Sequence, residues 1–432
     1  MRWNVSKLVV IGVGGLILVG GSLAIARQQQ SGAPPVQQQT PPPPAQQTAG
    51  APQTPAVPAP EDPIKTMVGR LDLEKYKATI KGLTQFGDRR QGTDRNRAAV
   101  DWIEAQLKSY GCTNTERIKY DYTPPPPREG RGGRRGPNPG ENPVSSGGGR
   151  PRGVKARTGV NNDPMAQPDE KLRALDTPPS VPGEREEVFC TKIGGTHPEE
   201  MYIVGAHMDG IGFGEAANDD GSGTALMMEA ARVFSSPDVQ TERSIRFVLW
   251  NNEETGTNGA RAYIAQRQAL QGKEDPPGSG KYPEPKWLGM IQHDMMMFDH
   301  GMPLPDGTLP KEQRPEADVN IEFQVKSKMA AESQTLAWVI QSANEKYATD
   351  YPAAVTNHMT NTDSGPFQDL CPAVSLRENE RGTQIGNGWD PNWHQPTDLY
   401  ITYSDKDFRL GLNATQTTLG AVAMLTGAAL KK

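Results

Sequence analysis

Tyr202-Ile203-Val204-Gly205-Ala206-His207-Met208-Asp209, Asn218-Asp219-Asp220-Gly221-Ser222-Gly223 and Ile245-Arg246-Phe247-Val248-Leu249-Trp250-Asn251-Asn252-Glu253-Glu254 hold most of the chemistry of this chain. The first is an apolar run with β-branched residues that ends in a histidine and, two positions on, an aspartate. The second opens a helical run, Thr224 to Phe234. The third is another apolar run, and it empties into paired glutamates. Twice a strand-like segment delivers imidazole or carboxylate at its C-terminal end, which is where open α/β sheets build their sites. Imidazole and carboxylates on rigid strand ends suit a divalent cation. The adjacent acids Glu253 and Glu254 repel each other, and a cation relieves that repulsion, with one carboxylate as ligand and the other free as a base. A lone Glu-Glu or His-x-Asp reads equally well as a solvated acidic loop. The metal reading rests on the ordered series.

Outward from this stretch, strands and helices alternate. Trp287 to Asp294 is a further strand that ends in an acid, Asp294. Helical spacing covers Asp72 to Leu83, Asp94 to Tyr110, Gly259 to Leu270, Glu332 to Tyr347 and Phe408 to Leu430, whereas Thr113 to Tyr122, Val188 to Ile193, Ile321 to Val325 and Ala373 to Leu376 read as strands. Thr113–Tyr122 and Val188–Ile193 form a hairpin across the stretch between them. The pattern predicts an α/β fold, a mostly parallel, mixed central sheet with helices on both faces.

Of the 432 residues, 39 are proline and 46 glycine, clustered so that the foldable part is much shorter. The net charge of -5 and the lack of a basic helix or of aromatic-basic interleaving exclude nucleic acid as a partner. Residues 1–26 read as an export signal: Arg2 and Lys7, an apolar Leu8–Leu23, then Ala24-Ile25-Ala26 at a small-x-small cleavage site. An uncleaved anchor is the competing reading, and the only membrane contact it implies is through this segment. Both place the protein outside the cytoplasm: periplasmic, extracellular or at the outer face of the inner membrane. Residues 27–63, rich in Gln, Pro and Ala, read as a disordered linker. Residues 64–432 form the folded domain, interrupted by a Pro-, Gly- and Arg-rich insertion at 124–186 that is predicted to lack structure. Of Cys112, Cys190 and Cys371, an exported protein can pair two and leave one over, or all three can be buried thiols.

The order His207-x-Asp209, Asn218-Asp219-Asp220-Gly221-Ser222-Gly223, Glu253-Glu254, Asp294-Met295 and His394 resembles the M28 family of zinc peptidases, which includes secreted bacterial aminopeptidases and glutamate carboxypeptidase-like enzymes. The resemblance covers roughly residues 62–430 apart from the insertion, and implies the zinc-exopeptidase form of the α/β fold. It implies two zinc ions, with Asp219 bridging them, His207 and Asp294 on one, and Glu254 and His394 on the other. Glu253 matches the general base. Asp209 matches the acid that holds the metal-binding imidazole in one tautomer. Asp220 is the competitor for the bridging role. The resemblance further implies a peptide substrate and an exopeptidase reaction, most directly that of an aminopeptidase. Carboxypeptidase or dipeptidase action on the same metal pair is the nearest alternative, followed by glutaminyl cyclase and by a catalytically silent surface binding protein.

The chain departs from the family pattern at two positions. Thr362-Asp363-Ser364 stands where many relatives have Ser-Asp-His, so a pocket imidazole is missing. Trp393 precedes His394 where some relatives have Tyr; Trp-His also occurs in glutaminyl cyclases, although those usually disrupt the Asp-Asp-Gly-Ser-Gly run that is intact here. Of the remaining residues, His293 reads as structural on the opposite strand face. His300 and His358 read as surface residues, and Met295, Met296 and Met297 as core. Arg377 and Arg381, placed in the loop before His394, read as solvated or as a clamp for a substrate carboxylate.

Overall fold

The computed structural model describes residues 61–124, 159–298, 319–359, 361–378 and 390–431. In chain order these form α1 Pro63–Val68, α2 Leu73–Thr84, α3 Asp94–Ser109, β1 Thr115–Tyr122, α4 Glu170–Asp176, β2 Gly183–Lys192, β3 His197–His207, α5 Gly221–Phe234, β4 Val239–Gln240, β5 Arg243–Trp250, α6 Asn258–Arg267, β6 Lys286–His293, β7 Val319–Phe323, α7 Ala330–Tyr347, β8 Ala353–Thr356, β9 Ala373–Glu378, α8 Asp405–Thr426 and β10 Ala429–Leu430.

Eight strands make one sheet in the order β1-β2-β5-β3-β6-β9-β7-β8. Its centre is parallel: β3 runs with both β5 and β6, and β6 with β9. The β1–β2 hairpin is antiparallel, as the alternation predicts, and joins β5 antiparallel. The register sets His207 opposite Trp250 and Ala206 opposite His293. His207, the Glu253-Glu254 loop and Asp294 therefore leave the sheet at one edge, side by side.

Alternation along each strand divides the core. On β5, Ile245, Phe247 and Leu249 join the large cluster packed with α1–α3, α5, α7 and α8. Val248 and Trp250 face the second cluster with Ile203, Tyr263, Trp287 and Phe367, under α6. Met296 and Met297 lie in the large cluster, and Met295 is also buried. His293 is buried between the Gly205 carbonyl (Nδ1, 3.0 Å) and Thr418 (Nε2, 2.8 Å), a structural role as predicted, while His358 is exposed.

Three expectations change. The stretch predicted to be without structure through Glu186 carries a 3-10 turn at Pro164–Ala166, α4, and a β2 that starts at Gly183 rather than Val188. Its order comes from polar anchors: Asp169 caps α4, and the buried Asp176 accepts the Asp88 N–H. Arg377 lies in β9, not in a loop. The last helix stops at Thr426, where Gly427 takes the left-handed conformation (φ 64°), and β10 then pairs with β4. Cys112 and Cys190 form a disulfide, and Cys371 is a buried thiol. The export signal or anchor, the linker up to Pro60, His300 and Arg381 lie outside the described residues. Among the described helices none is long and apolar enough to cross a membrane.

Candidate metal centre

The site is built where β3, β5 and β6 end. His207 closes β3 and is almost wholly buried. Its Nδ1 lies 2.9 Å from the main-chain carbonyl of Asp209. A carbonyl only accepts, so Nδ1 carries the proton and the Nε2 lone pair is free. Nε2 faces Asp219 Oδ1 at 3.3 Å and Asp294 Oδ1 at 3.8 Å. Asp209 was expected to hold this ring with its carboxylate. Its main chain takes the hydrogen bond, with the carboxylate 3.8 Å from Nδ1, and Asp209 Oδ1 accepts the Glu253 N–H at 3.0 Å. One residue thus ties the first imidazole to the glutamate loop.

The Asp-Asp pair splits its duties. Asp220 caps α5: Oδ1 accepts the N–H groups of Gly223 and Met295, and Oδ2 that of His207, at 3.0–3.1 Å. With both oxygens on main-chain donors, Asp220 enters neither ligand group. Asp219 points the other way, and its oxygens face two imidazoles, Oδ1 toward His207 and Oδ2 toward His394 Nε2 at 3.0 Å. Glu254 Oε2 lies 2.8 Å from His394 Nε2. The result is two triads that share Asp219. His207, Asp219 and Asp294 form one, and Asp219, Glu254 and His394 the other, each with potential ligand atoms within 4.8 Å of one another. All five ligand candidates from the sequence converge here. Glu253 stands beside them in neither triad. Each triad offers one imidazole and two carboxylates, and the buried Glu254 Oε1 lacks a hydrogen-bond partner among the described residues. This donor set fits a borderline divalent cation such as zinc.

The electrostatics are those of a crowded acidic cavity. Burial, reinforced by Asp219, pushes the Glu254 carboxyl up to about 7 against the pull of His394. Burial pushes Glu253 well above the carboxylate range, with Asp363, Glu254 and Asp294 adding to it and His207 opposing. Against burial, Glu254 and Asp219 raise His394 to about 10. Asp294 goes the other way, to about 2, because Arg377 and His207 outweigh its burial.

The partners that hold these ligands are the residues the sequence reading missed. Arg377 is buried, with Nη2 2.5 Å from Asp294 Oδ2 and 3.3 Å from the Asn361 carbonyl and Nε 3.8 Å from Glu322. It is not solvated, and Asp294 and Glu322 already face it. It occupies one oxygen of Asp294 and leaves Oδ1 toward His207. Asp398 accepts the N–H groups of Asn218 and Asp219 and the Tyr403 hydroxyl, and Asp390 accepts from Asn218 and Tyr403. A usable signal was present: Asp398 follows His394 in His-Gln-Pro-Thr-Asp. Ser364, in place of the imidazole many relatives carry, is buried and hydrogen-bonded to Ser375 at 2.5 Å.

The fold and paired triads define an α/β protein with a candidate metal centre at its strand ends. The model of peptidase family M28 matches residues 189–409, and the chain belongs to that family. It is 43% identical over 68 residues to aminopeptidase YwaD of Bacillus subtilis, a stretch that covers 16% of this chain and 14% of that protein. It is 37% identical over 71 residues to carboxypeptidase Q of Xenopus laevis, covering 16% and 15%. The matched stretch thus spans only about a seventh of each relative's length. The solved structure of BSAP, a zinc aminopeptidase from Bacillus subtilis, superposes with TM-score 0.54 at 16% identity over 84% of this chain and 96% of that one, a likeness of fold.

Proposed function

We propose that this protein is a zinc-dependent exopeptidase, an aminopeptidase that releases N-terminal residues from peptides. The observation that carries the reading is Asp219, whose two oxygens face two different imidazoles at 3.3 and 3.0 Å while Glu253 stays outside both triads. His207, Asp219 and Asp294 would hold one zinc ion, and Asp219, Glu254 and His394 a second. Bound there, the two ions supply Lewis-acid activation of a water and of the scissile carbonyl. Glu253 takes the proton of the attacking water and passes it to the leaving amine. The Asp209 carboxylate anchors the Glu253 main chain, while the Asp209 carbonyl keeps the His207 proton on Nδ1. Arg377 supports the aminopeptidase over the carboxypeptidase reading: this cation, which the sequence offered for a substrate carboxylate, is buried against Asp294 and Glu322. The Cys112–Cys190 disulfide supports export, since such bonds persist in oxidising compartments.

The test is Glu253→Gln. It should keep two zinc ions per chain and lose turnover by about 10²–10⁴-fold, the usual contribution of a general base. A variant that loses its zinc as well, or that keeps wild-type turnover, contradicts the assignment.

A further inference from the structure

The two imidazoles are held differently. His207 is fixed at its far nitrogen by the Asp209 carbonyl, whereas His394 Nδ1 is buried with no hydrogen-bond partner among the described residues. Metal-binding imidazoles are generally oriented through that second nitrogen. His394 must therefore be oriented by something else, and the main chain supplies it.

His394 has a left-handed backbone (φ 57°), a costly conformation for a residue with a Cβ unless its surroundings impose it. Its carbonyl accepts the N–H of Asn161 at 3.0 Å. The next side chain, Gln395, donates to the Gly159 carbonyl at 2.7 Å. Gln167, 1% exposed, donates from Nε2 to the carbonyls of Pro396 (3.1 Å) and Phe213 (2.7 Å), and its Oε1 accepts the Asp169 N–H at 3.0 Å. Phe213 follows Gly212, where a Cβ would collide with the main chain of His394. The Trp393 ring stacks on the imidazole, centroids 3.8 Å apart. Residues 159–167 thus form a strap that staples the His394 loop to the loop after Asp209. The strap belongs to the insertion that the sequence predicts to lack structure.

We infer that this strap positions the Asp219/Glu254/His394 triad, with Gln167 as its central positioning residue, so that it sets the affinity of that triad for zinc without setting that of the His207/Asp219/Asp294 triad. The inference rests on the two-zinc reading above.

The experiment titrates zinc into the full-length, zinc-free chain in competition with a chromophoric chelator. It compares wild type, Gln167→Met, which removes both donors and keeps the side chain's length, and His394→Ala, which leaves only the first triad intact. The expected result is two zinc ions in wild type. In Gln167→Met one of them should weaken about 10- to 100-fold, the usual cost of losing an orienting partner. The other should match the affinity that remains in His394→Ala. Equal weakening of both ions, as a general loss of structure would give, overturns the inference, and so does unchanged affinity. If Gln167→Met does not fold, Asn161→Pro, which removes the N–H on the His394 carbonyl, must show the same selective loss, and its failure to do so is equally decisive. A wild-type chain that binds only one zinc refutes the two-zinc reading itself, and the inference falls with it.

Discussion

At the scale of single residues, the site depends as much on the partners of its ligands as on the ligands. Arg377 is the sharpest case. Removing a guanidinium from water costs several kcal/mol, offset here by a hydrogen-bonded pair with Asp294 and by the longer-range charge of Glu322. Its deletion removes the guanidinium that both buried acids face. Arg377→Met should therefore destabilise the zinc-free protein by about 3–5 kcal/mol in denaturant unfolding; a change below about 1 kcal/mol would show that the pair does not hold the site. The ligands themselves were legible in the sequence because each stands at the end of an apolar run or in a short motif. Arg377 was not, since its partner Asp294 is 83 positions away and the apolar run Ala373 to Leu376 stops one residue before it. Asn218 and Asp398, 180 positions apart, escaped for the same reason. Asp209 was identified as an orienting residue, but only the structure shows that its carbonyl takes the hydrogen bond of the imidazole while its carboxylate stands 3.8 Å off.

At the scale of elements, long periodic segments were read within a few residues: α2, α3, α7 and the central strands lie where the apolar spacing places them. The short elements α1, α4 and β8 were missed. α4 shows why. It buries no apolar residue and is tied down by polar side chains instead, a kind of order that composition does not register. Its last residue, Asp176, shares one guanidinium with Asp88: Arg95 lies 2.8 Å from Asp88 and 3.6 Å from Asp176. Burial together with Asp88 pushes the Asp176 carboxyl from 3.8 up to about 8, against the pull of Arg95 and Arg89. Between these values the native state binds a proton that the unfolded chain has released, so stability falls as pH rises, by at most ~1.4 kcal/mol per pH unit. The asparagine variant has no such proton. Measured by thermal unfolding, the stability of wild type relative to Asp176→Asn should drop from pH 5 to pH 8, and a flat difference would mean that Asp176 is ionised throughout.

At the scale of the molecule, the parallel centre of the sheet gathers three strand ends at one site, and the surrounding chain holds that edge in place. The Cys112–Cys190 disulfide fastens the segment after α3 to β2 across 78 positions. A cross-link of that span stabilises by restricting the unfolded chain, by about 4 kcal/mol. Cys112→Ser should lose an amount of that order in denaturant unfolding, whereas a loss below about 1 kcal/mol would mean that the bridge adds little to what packing provides. As an aminopeptidase, the protein takes the N-terminal end of a peptide at this site. The direct measurement incubates the zinc-loaded protein with one free peptide, with the same peptide blocked at its N-terminus and with it blocked at its C-terminus, and identifies the products by mass. The predicted result is stepwise release of N-terminal residues from the free and C-blocked peptides and none from the N-blocked one. Cleavage that survives N-terminal blocking and stops on C-terminal blocking would contradict the aminopeptidase assignment, and no cleavage of any peptide would contradict the exopeptidase reading itself.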